Sequence, residues 1–405
     1  MKRLFFVGAA LLTLAGCSSG SGDATIERAT EVYKGVKAGL VPDSRSRTFE
    51  VRIEKSANGN YVAYGATTEP NCKDSLFAAF EQKNIKITDS IELLPSASLD
   101  GKICGVVAQS VVNFRTSGRY AAESATQALM GTPVKVLEKR DGWTRAITPE
   151  GYISWVTSGS LAEMTEEEYN NYRSNAKVIV TDRYATIVEK PSNNAQMVSD
   201  VVLGNILIDS GSEGAWQRVS IADGRTGYLP KSSVQDFQSW LSSRNPTPEN
   251  IIATGKLFIG VPYMWGGTSL KAVDCSGFTK SVYYLNGVIL ARDASQQCYT
   301  GDNVDISQYV DNGKYERASL ENLKTGDLIF FGTKATAEKK ERISHVGIYI
   351  GNGIFIHSAG KVRINSLIPE DGNYYSGSKN LVRAQRILGN VDAGKGVFSM
   401  QQLYN

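Results

Sequence analysis

Apolar positions recur along the chain with two periods, and the changes of period locate the elements. Ile26, Ala29, Val32, Tyr33, Val36 and Leu40 follow a 3.6-residue repeat, which predicts a helix. Phe49 to Ile53 and Tyr61 to Tyr64 alternate apolar and polar residues, as half-buried strands do. Leu76 to Phe80 is a short helix candidate, and Ile85 to Leu94 returns to an extended pattern. Residues 25–104 therefore read as a small mixed α/β unit, and no pattern in it carries chemistry.

The next stretch repeats itself. Gly142-Trp143-Thr144-Arg145 is followed by Gly151-Tyr152-Ile153-Ser154-Trp155-Val156, and Ala215-Trp216-Gln217-Arg218-Val219 by Gly227-Tyr228-Leu229-Pro230. Trp143 and Trp216 are 73 residues apart, Tyr152 and Tyr228 76. Short alternating strands with Gly/Asp turns at that period predict two small β-barrels, at 105–164 and 165–241, with most aromatics in their cores. The acidic run Glu163 to Arg173 predicts a short helix between them. Residues 242–248, punctuated by Pro246 and Pro248, read as a linker. The last domain spans 249–390, with a tail at 391–405. The fold class is α+β.

The start of the chain differs from the rest. Met1-Lys2-Arg3 is a charged lead, and Leu4 to Leu14 is apolar but shorter than the roughly 20 residues a membrane span needs. Leu14-Ala15-Gly16-Cys17 resembles the lipobox of bacterial lipoproteins. That resemblance implies a signal peptide at 1–16, a lipid on Cys17, a tether at 17–24, and an exported protein anchored to a membrane of the bacterial envelope. With 44 basic and 41 acidic side chains, the charge balance gives no reason to expect a nucleic-acid partner. Cys72 and Cys104 could form a disulfide or remain buried thiols. No Cys/His spacing typical of zinc sites occurs, so neither a metal nor a cofactor is expected.

The chain has only two histidines, His345 and His357. Any imidazole chemistry must use them. Upstream, Asp274 is a suitable N-cap, and Phe278, Val282 and Leu285 lie on one helical face closed by Asn286-Gly287. Cys275 thus falls in the first turn of a helix, where unpaired N–H groups favour a thiolate and a lowered thiol pKa. His345 and His357 lie on two strands joined by Gly351-Asn352-Gly353. A two-residue turn would set His357 opposite Ile348 and point the rings to opposite faces. A three-residue turn, or an equivalent bulge, sets it opposite Gly347 and puts both rings on one face. The second register is expected, giving a nucleophile, a base and an orienting residue. A zinc site made by Cys275, His345 and His357 is a competing reading on ligand count.

Gly260-Val261-Pro262-Tyr263-Met264-Trp265-Gly266-Gly267, Asp274-Cys275-Ser276-Gly277-Phe278, Gly326-Asp327-Leu328-Ile329-Phe330-Phe331 and Ser344-His345-Val346-Gly347-Ile348-Tyr349 resemble the NlpC-type bacterial cell-wall peptidases, which are papain-like cysteine enzymes. The paired barrels are similar to the SH3-like domains of its γ-D-glutamyl-L-diamino acid endopeptidase branch. The resemblance implies catalysis by Cys275, His345 and His357, and an oxyanion site formed by Tyr263 and the Cys275 N–H. It implies substrates that are peptidoglycan-derived peptides with a free L-Ala, cut after γ-D-Glu before L-Lys or meso-diaminopimelate. It further implies that Glu123, Tyr152, Asp293 and Ser276 bind that substrate. Ala294 stands where some relatives carry a hydroxyl. Two rivals stay open: a general hydrolase of intact stems, favoured if Glu123 and Tyr152 lay far from Cys275, and a catalytically silent wall-binding lipoprotein.

Overall fold

The computed structural model describes residues 23–404; the leader and Cys17 lie outside the described residues. The chain forms two compact units. Among the described residues, one comprises 23–42 and Thr48–Leu93; the other comprises Asp43–Arg47 and 94–404.

In the first unit, helix Ala24–Leu40 starts at Asp23, whose carboxylate accepts from the Thr25 N–H at 3.0 Å. Strands Phe49–Lys55 and Tyr61–Thr67 pair antiparallel, and Thr88–Leu93 joins parallel to the latter after helix Pro70–Gln82. Ala29, Phe49, Cys72, Leu76, Phe80 and Ile91 make the core. The helical and extended patterns expected for this region are those observed.

The second unit opens with two barrel-like, seven-stranded sheets. The first runs 161–164, 104–107, 133–140, 143–147, 153–157, 111–115, 124–129 in spatial order. The second, read from the opposite edge, runs 234–236, 177–180, 206–213, 216–220, 226–230, 184–188, 197–202. The topology is the same, with Trp143 and Trp216 opening equivalent strands. One expectation shifts here and one open alternative closes. The helix between the barrels begins only at Glu166, because Thr165 caps it and the Glu168 carboxylate accepts from the Thr165 N–H at 2.8 Å; Glu163 belongs to a strand. Cys104 is a free thiol, so it forms no disulfide with Cys72.

The last domain packs a helix onto one face of a sheet. Helix Cys275–Tyr284 lies on an antiparallel sheet ordered 302–303, 381–386, 328–333, 342–351, 354–359, 361–366. Phe278 and Val282 bury against Val346, Ile348 and Ile356. Gly277 is obligatory at this contact: a Cβ there would lie 1.9 Å from the Gly267 carbonyl oxygen. The segment beyond 391 is folded rather than a tail. Phe398–Ser399 pairs with Val288–Ile289, and Met400 is fully buried.

The first barrel is fastened to this domain by buried polar contacts. Gln127 Oε1 accepts from the Thr268 N–H, and the Gln127 carbonyl from Thr268 Oγ1, both at 2.9 Å. Lys280 pairs with Glu150 at 2.7 Å. These contacts set the barrel against the start of the Cys275 helix.

Candidate active site

Cys275 is the first residue of its helix. The Asp274 side chain caps it, accepting from the Gly277 N–H at 2.6 Å and from the Gly266 N–H at 2.9 Å. Fully buried Arg292 braces the cap. Its Nη2 donates to Asp274 Oδ2 at 2.6 Å, its Nη1 to Ser276 Oγ at 3.0 Å, and its Nε to Thr126 Oγ1 of the first barrel at 2.8 Å. Ser276 is thus part of a network that joins the Cys275 helix to the barrel.

The hairpin adopts the register that places both rings on one face. Ile348 pairs with Ile356 and Tyr349 with Phe355, so Gly347 stands opposite His357. The device is a two-residue turn, Asn352 and Gly353 with φ of 51° and 78°, plus a bulge at Ile350 that adds the odd residue. A Cβ on Gly347 would approach His357 Cβ to 3.1 Å and Phe355 to 2.9 Å, which explains the glycine. His345 Nε2 and His357 Nδ1 are 2.7 Å apart.

A residue unnoticed in the sequence settles the tautomers. Asn365 on the neighbouring strand donates through Nδ2 to the Asn373 carbonyl at 2.7 Å, which turns its Oδ1 towards His357 Nε2 at 3.0 Å. An amide oxygen can only accept, so His357 Nε2 carries the proton and Nδ1 is bare. His345 Nε2–H then donates to that Nδ1, and His345 Nδ1 is left with a free lone pair. Because His345 Nε2 and His357 Nδ1 are bonded to each other, the pair is not arranged as metal ligands. Among the described residues no group of three metal-ligating side chains occurs. Tyr375 packs over both rings, with centroids 6.0 Å from His345 and 4.8 Å from His357.

The electrostatics of the resting site differ from the sequence expectation. The Cys275 sulfur is buried beside the N–H groups of Val346 and Ser276, yet burial, reinforced by Asp274, pushes its thiol up to about 12. A helix terminus favours an anion by up to about 2 kcal/mol, whereas full burial shifts a pKa by several units. The lowered thiol pKa expected from helix position is therefore reversed. Burial also depresses His345 to about 3 and His357 to about 4. The resting pair is neutral thiol and neutral imidazole. Burial raises the Tyr263 phenol as well, followed by the influence of Cys275 and Asp274, so it stays a hydroxyl donor beside the sulfur.

Cys275 opens into a cavity of about 340 Å³ that also collects Glu123, Tyr152, Ser276, Asp293, Trp265 and Arg342. The four residues expected to bind substrate are thus brought together with Cys275, from positions up to 170 residues apart in sequence (123 to 293). Asp293 is not vacant: its Oδ2 accepts from Tyr152 Oη at 3.1 Å and from Arg45 Nη1 at 2.8 Å. Arg45 was missed because nothing in its local sequence marks it. The Glu123 carboxylate has no hydrogen bond or ion pair among the described residues.

Comparison with known proteins agrees with this geometry. Residues 260–382 match the NlpC/P60 family, and residues 114–161 match the bacterial dipeptidyl-peptidase Sh3 domain. A γ-D-glutamyl-L-lysine dipeptidyl-peptidase of Bacillus cereus is 32% identical over 60% of this chain and 70% of its own. Dipeptidyl-peptidase 6 of Lysinibacillus sphaericus is 26% identical over 65% and 91%. The crystal structure of an NlpC/P60 family protein from Bacillus cereus superposes with a TM-score of 0.56 at 25% identity, covering 70% of this chain and 99% of that one.

Proposed function

Because the chain belongs to the NlpC/P60 family of cysteine peptidases, we propose that it acts on peptidoglycan-derived peptides, cutting after γ-D-Glu where a free L-Ala precedes it and L-Lys or meso-diaminopimelate follows. The observation that carries this reading is the cavity uniting Cys275 with the acids Glu123 and Asp293 and with Tyr152. A cleft walled by a barrel and lined with carboxylates suits a short peptide with a charged start better than an intact stem. The name of the Bacillus cereus relative supports the same bond, with L-Lys as the residue that follows it.

The residues divide the chemistry as follows. The Cys275 thiol gives its proton to His345 Nδ1 as the sulfur attacks the γ-carbonyl of D-Glu. The Cys275 N–H and the Tyr263 hydroxyl face the developing oxyanion. His345, now imidazolium and held by His357 and Asn365, protonates the leaving amine of the diamino acid. The C–N bond breaks and a thioester remains. His345 then takes a proton from water as that water attacks the thioester; the C–S bond breaks, L-Ala-γ-D-Glu leaves with a free carboxyl group, and the imidazolium returns the proton to the Cys275 sulfur. The leader motif ending in Cys17 supports an exported, lipid-anchored enzyme that trims released peptides.

Incubation with L-Ala-γ-D-Glu-L-Lys and mass spectrometry tests the proposal. The expected products are L-Ala-γ-D-Glu and lysine, and Cys275→Ala should reduce turnover to background. Equal cleavage of the N-acetylated peptide would refute the free-amine requirement. Metabolic labelling with a fatty acid, lost on Cys17→Ala, tests the anchor.

A further inference from the structure

The cavity wall beside Asp293 includes a residue, Arg45, that lies outside both family-matched segments, 114–161 and 260–382. Residues Asp43–Arg47 come from early in the sequence but belong to the compact unit that holds the site. Within this strap, Arg45 Nη1 donates to Asp293 Oδ2 at 2.8 Å and to Ser295 Oγ at 2.9 Å. The guanidinium is itself clamped. Its Nε and Nη2 donate to the two oxygens of Asp43 at 2.8 and 2.9 Å. Asp43 Oδ2 also accepts from Gln296 Nε2 at 3.1 Å, and the Arg45 carbonyl accepts from the Ile153 N–H at 2.7 Å, one residue from Tyr152. The strap therefore ties the start of the segment after Asp293 to the barrel edge that carries Tyr152.

This clamp decides which lone pairs remain for a ligand. Asp293 lines the cavity; its Oδ2 is taken by Tyr152 Oη and Arg45, while Oδ1 is outside those two contacts, with Arg292 Nη1 at 3.9 Å. Tyr152 directs its proton at Asp293, so its oxygen lone pairs are left as acceptors. Asp293 Oδ1, Tyr152 Oη and the unpartnered Glu123 carboxylate make three acceptors, which is the number an ammonium group uses. An amide N–H offers one donor and would leave the carboxylates without compensation.

We propose that Arg45 is a positioning residue for the amine seat, fixing Asp293 and Tyr152 so that the site selects a primary ammonium over a blocked or extended N-terminus. This rests on the reading of the cavity under Proposed function.

The test compares wild type, Arg45→Ala and Arg45→Lys on L-Ala-γ-D-Glu-L-Lys and on its N-acetyl form. For Arg45→Ala the expected result is a KM raised about tenfold with kcat within about twofold, and a matching loss of selectivity over the acetylated peptide. Arg45→Lys should recover part of the loss, and added methylguanidinium should recover part of it in Arg45→Ala. Iodoacetamide labelling of Cys275 at the wild-type rate should show that the site is intact. An unchanged KM and selectivity would overturn the proposal. So would a lowered KM, which would make Arg45 a plug, or a fall in kcat that guanidinium does not rescue, which would make the strap merely structural. If wild type itself fails to cleave the tripeptide, the proposed function falls first. If wild type cleaves and selects but Arg45→Ala matches it, only the role of Arg45 falls.

Discussion

The two barrels share strand order but not work. In the first, Arg145 stands opposite Trp155; in the second, Arg218 stands opposite Tyr228. With Trp143 equivalent to Trp216, Tyr228 takes the place of Trp155, a constant offset of 73 residues. The sequence repeat had set Tyr152 beside Tyr228, an offset of 76, and the register corrects it. The residue of the second barrel that matches Tyr152 is Arg225. Tyr152 reaches Asp293 in the cavity, whereas Arg225 Nη2 donates to the Ala108 carbonyl of the first barrel at 2.6 Å. One loop position thus lines the cavity in one copy and attaches barrel to barrel in the other. Duplicated topology does not carry a duplicated site, because a site depends on what the loop faces.

Substitutions at matched places can break or sharpen this contrast. The largest effect is expected at Glu123→Gln, which keeps shape and removes the charge facing the amine. KM for the free-amine tripeptide should rise roughly 10- to 100-fold, the worth of one charge-assisted contact, with kcat little changed. Steady-state kinetics checks this, and an unchanged KM would remove the first barrel from recognition. Next is Asn365→Ala, which leaves His357 Nε2 without its acceptor. A fall in kcat of about tenfold at constant KM is expected, because the tautomer of His345 is no longer held.

The buried histidines give a pH effect of intermediate size. Both have folded-state values below the ordinary 6.5, at about 3 and about 4. The unfolded chain therefore binds more protons on acidification, and stability falls as pH drops from about 6.5 towards 3. Each ring contributes a slope of up to about 1.4 kcal/mol per pH unit in that window. Denaturant melts from pH 7 to 4 measure the slope, and His357→Gln should flatten it. In the same range, iodoacetamide labelling of Cys275 should accelerate with rising pH rather than plateau, because the resting thiol is neutral. The smallest effect is expected at Arg225→Ala: wild-type kinetics and a stability loss of about 1 kcal/mol, from the bond to Ala108 and a half-exposed pair with Asp223 that is worth little.

Much of the architecture was legible from pattern. The helical and strand periods of the first unit, the paired barrels and the Asp274-capped helix all arise from interactions within a few residues. The pairing of the two imidazoles was also legible, since only two histidines exist and both lie on one hairpin. The bulge at Ile350 was anticipated only as one of two ways to satisfy the required parity. Asn365, Arg292 and Arg45 were not marked for their roles. Their partners lie on other strands, in the barrel or, for Arg45 and Asp293, 248 residues away.

Local sequence determined where the nucleophile's helix begins, which strands carry the imidazoles and how often the barrel repeats, because backbone periodicity and capping are short-range. Tertiary structure decided the ionisation of the thiol, the tautomers of the histidines and the occupancy of Asp293. Those follow from desolvation and from charges brought together by folding, and neither quantity exists until the chain has closed around them.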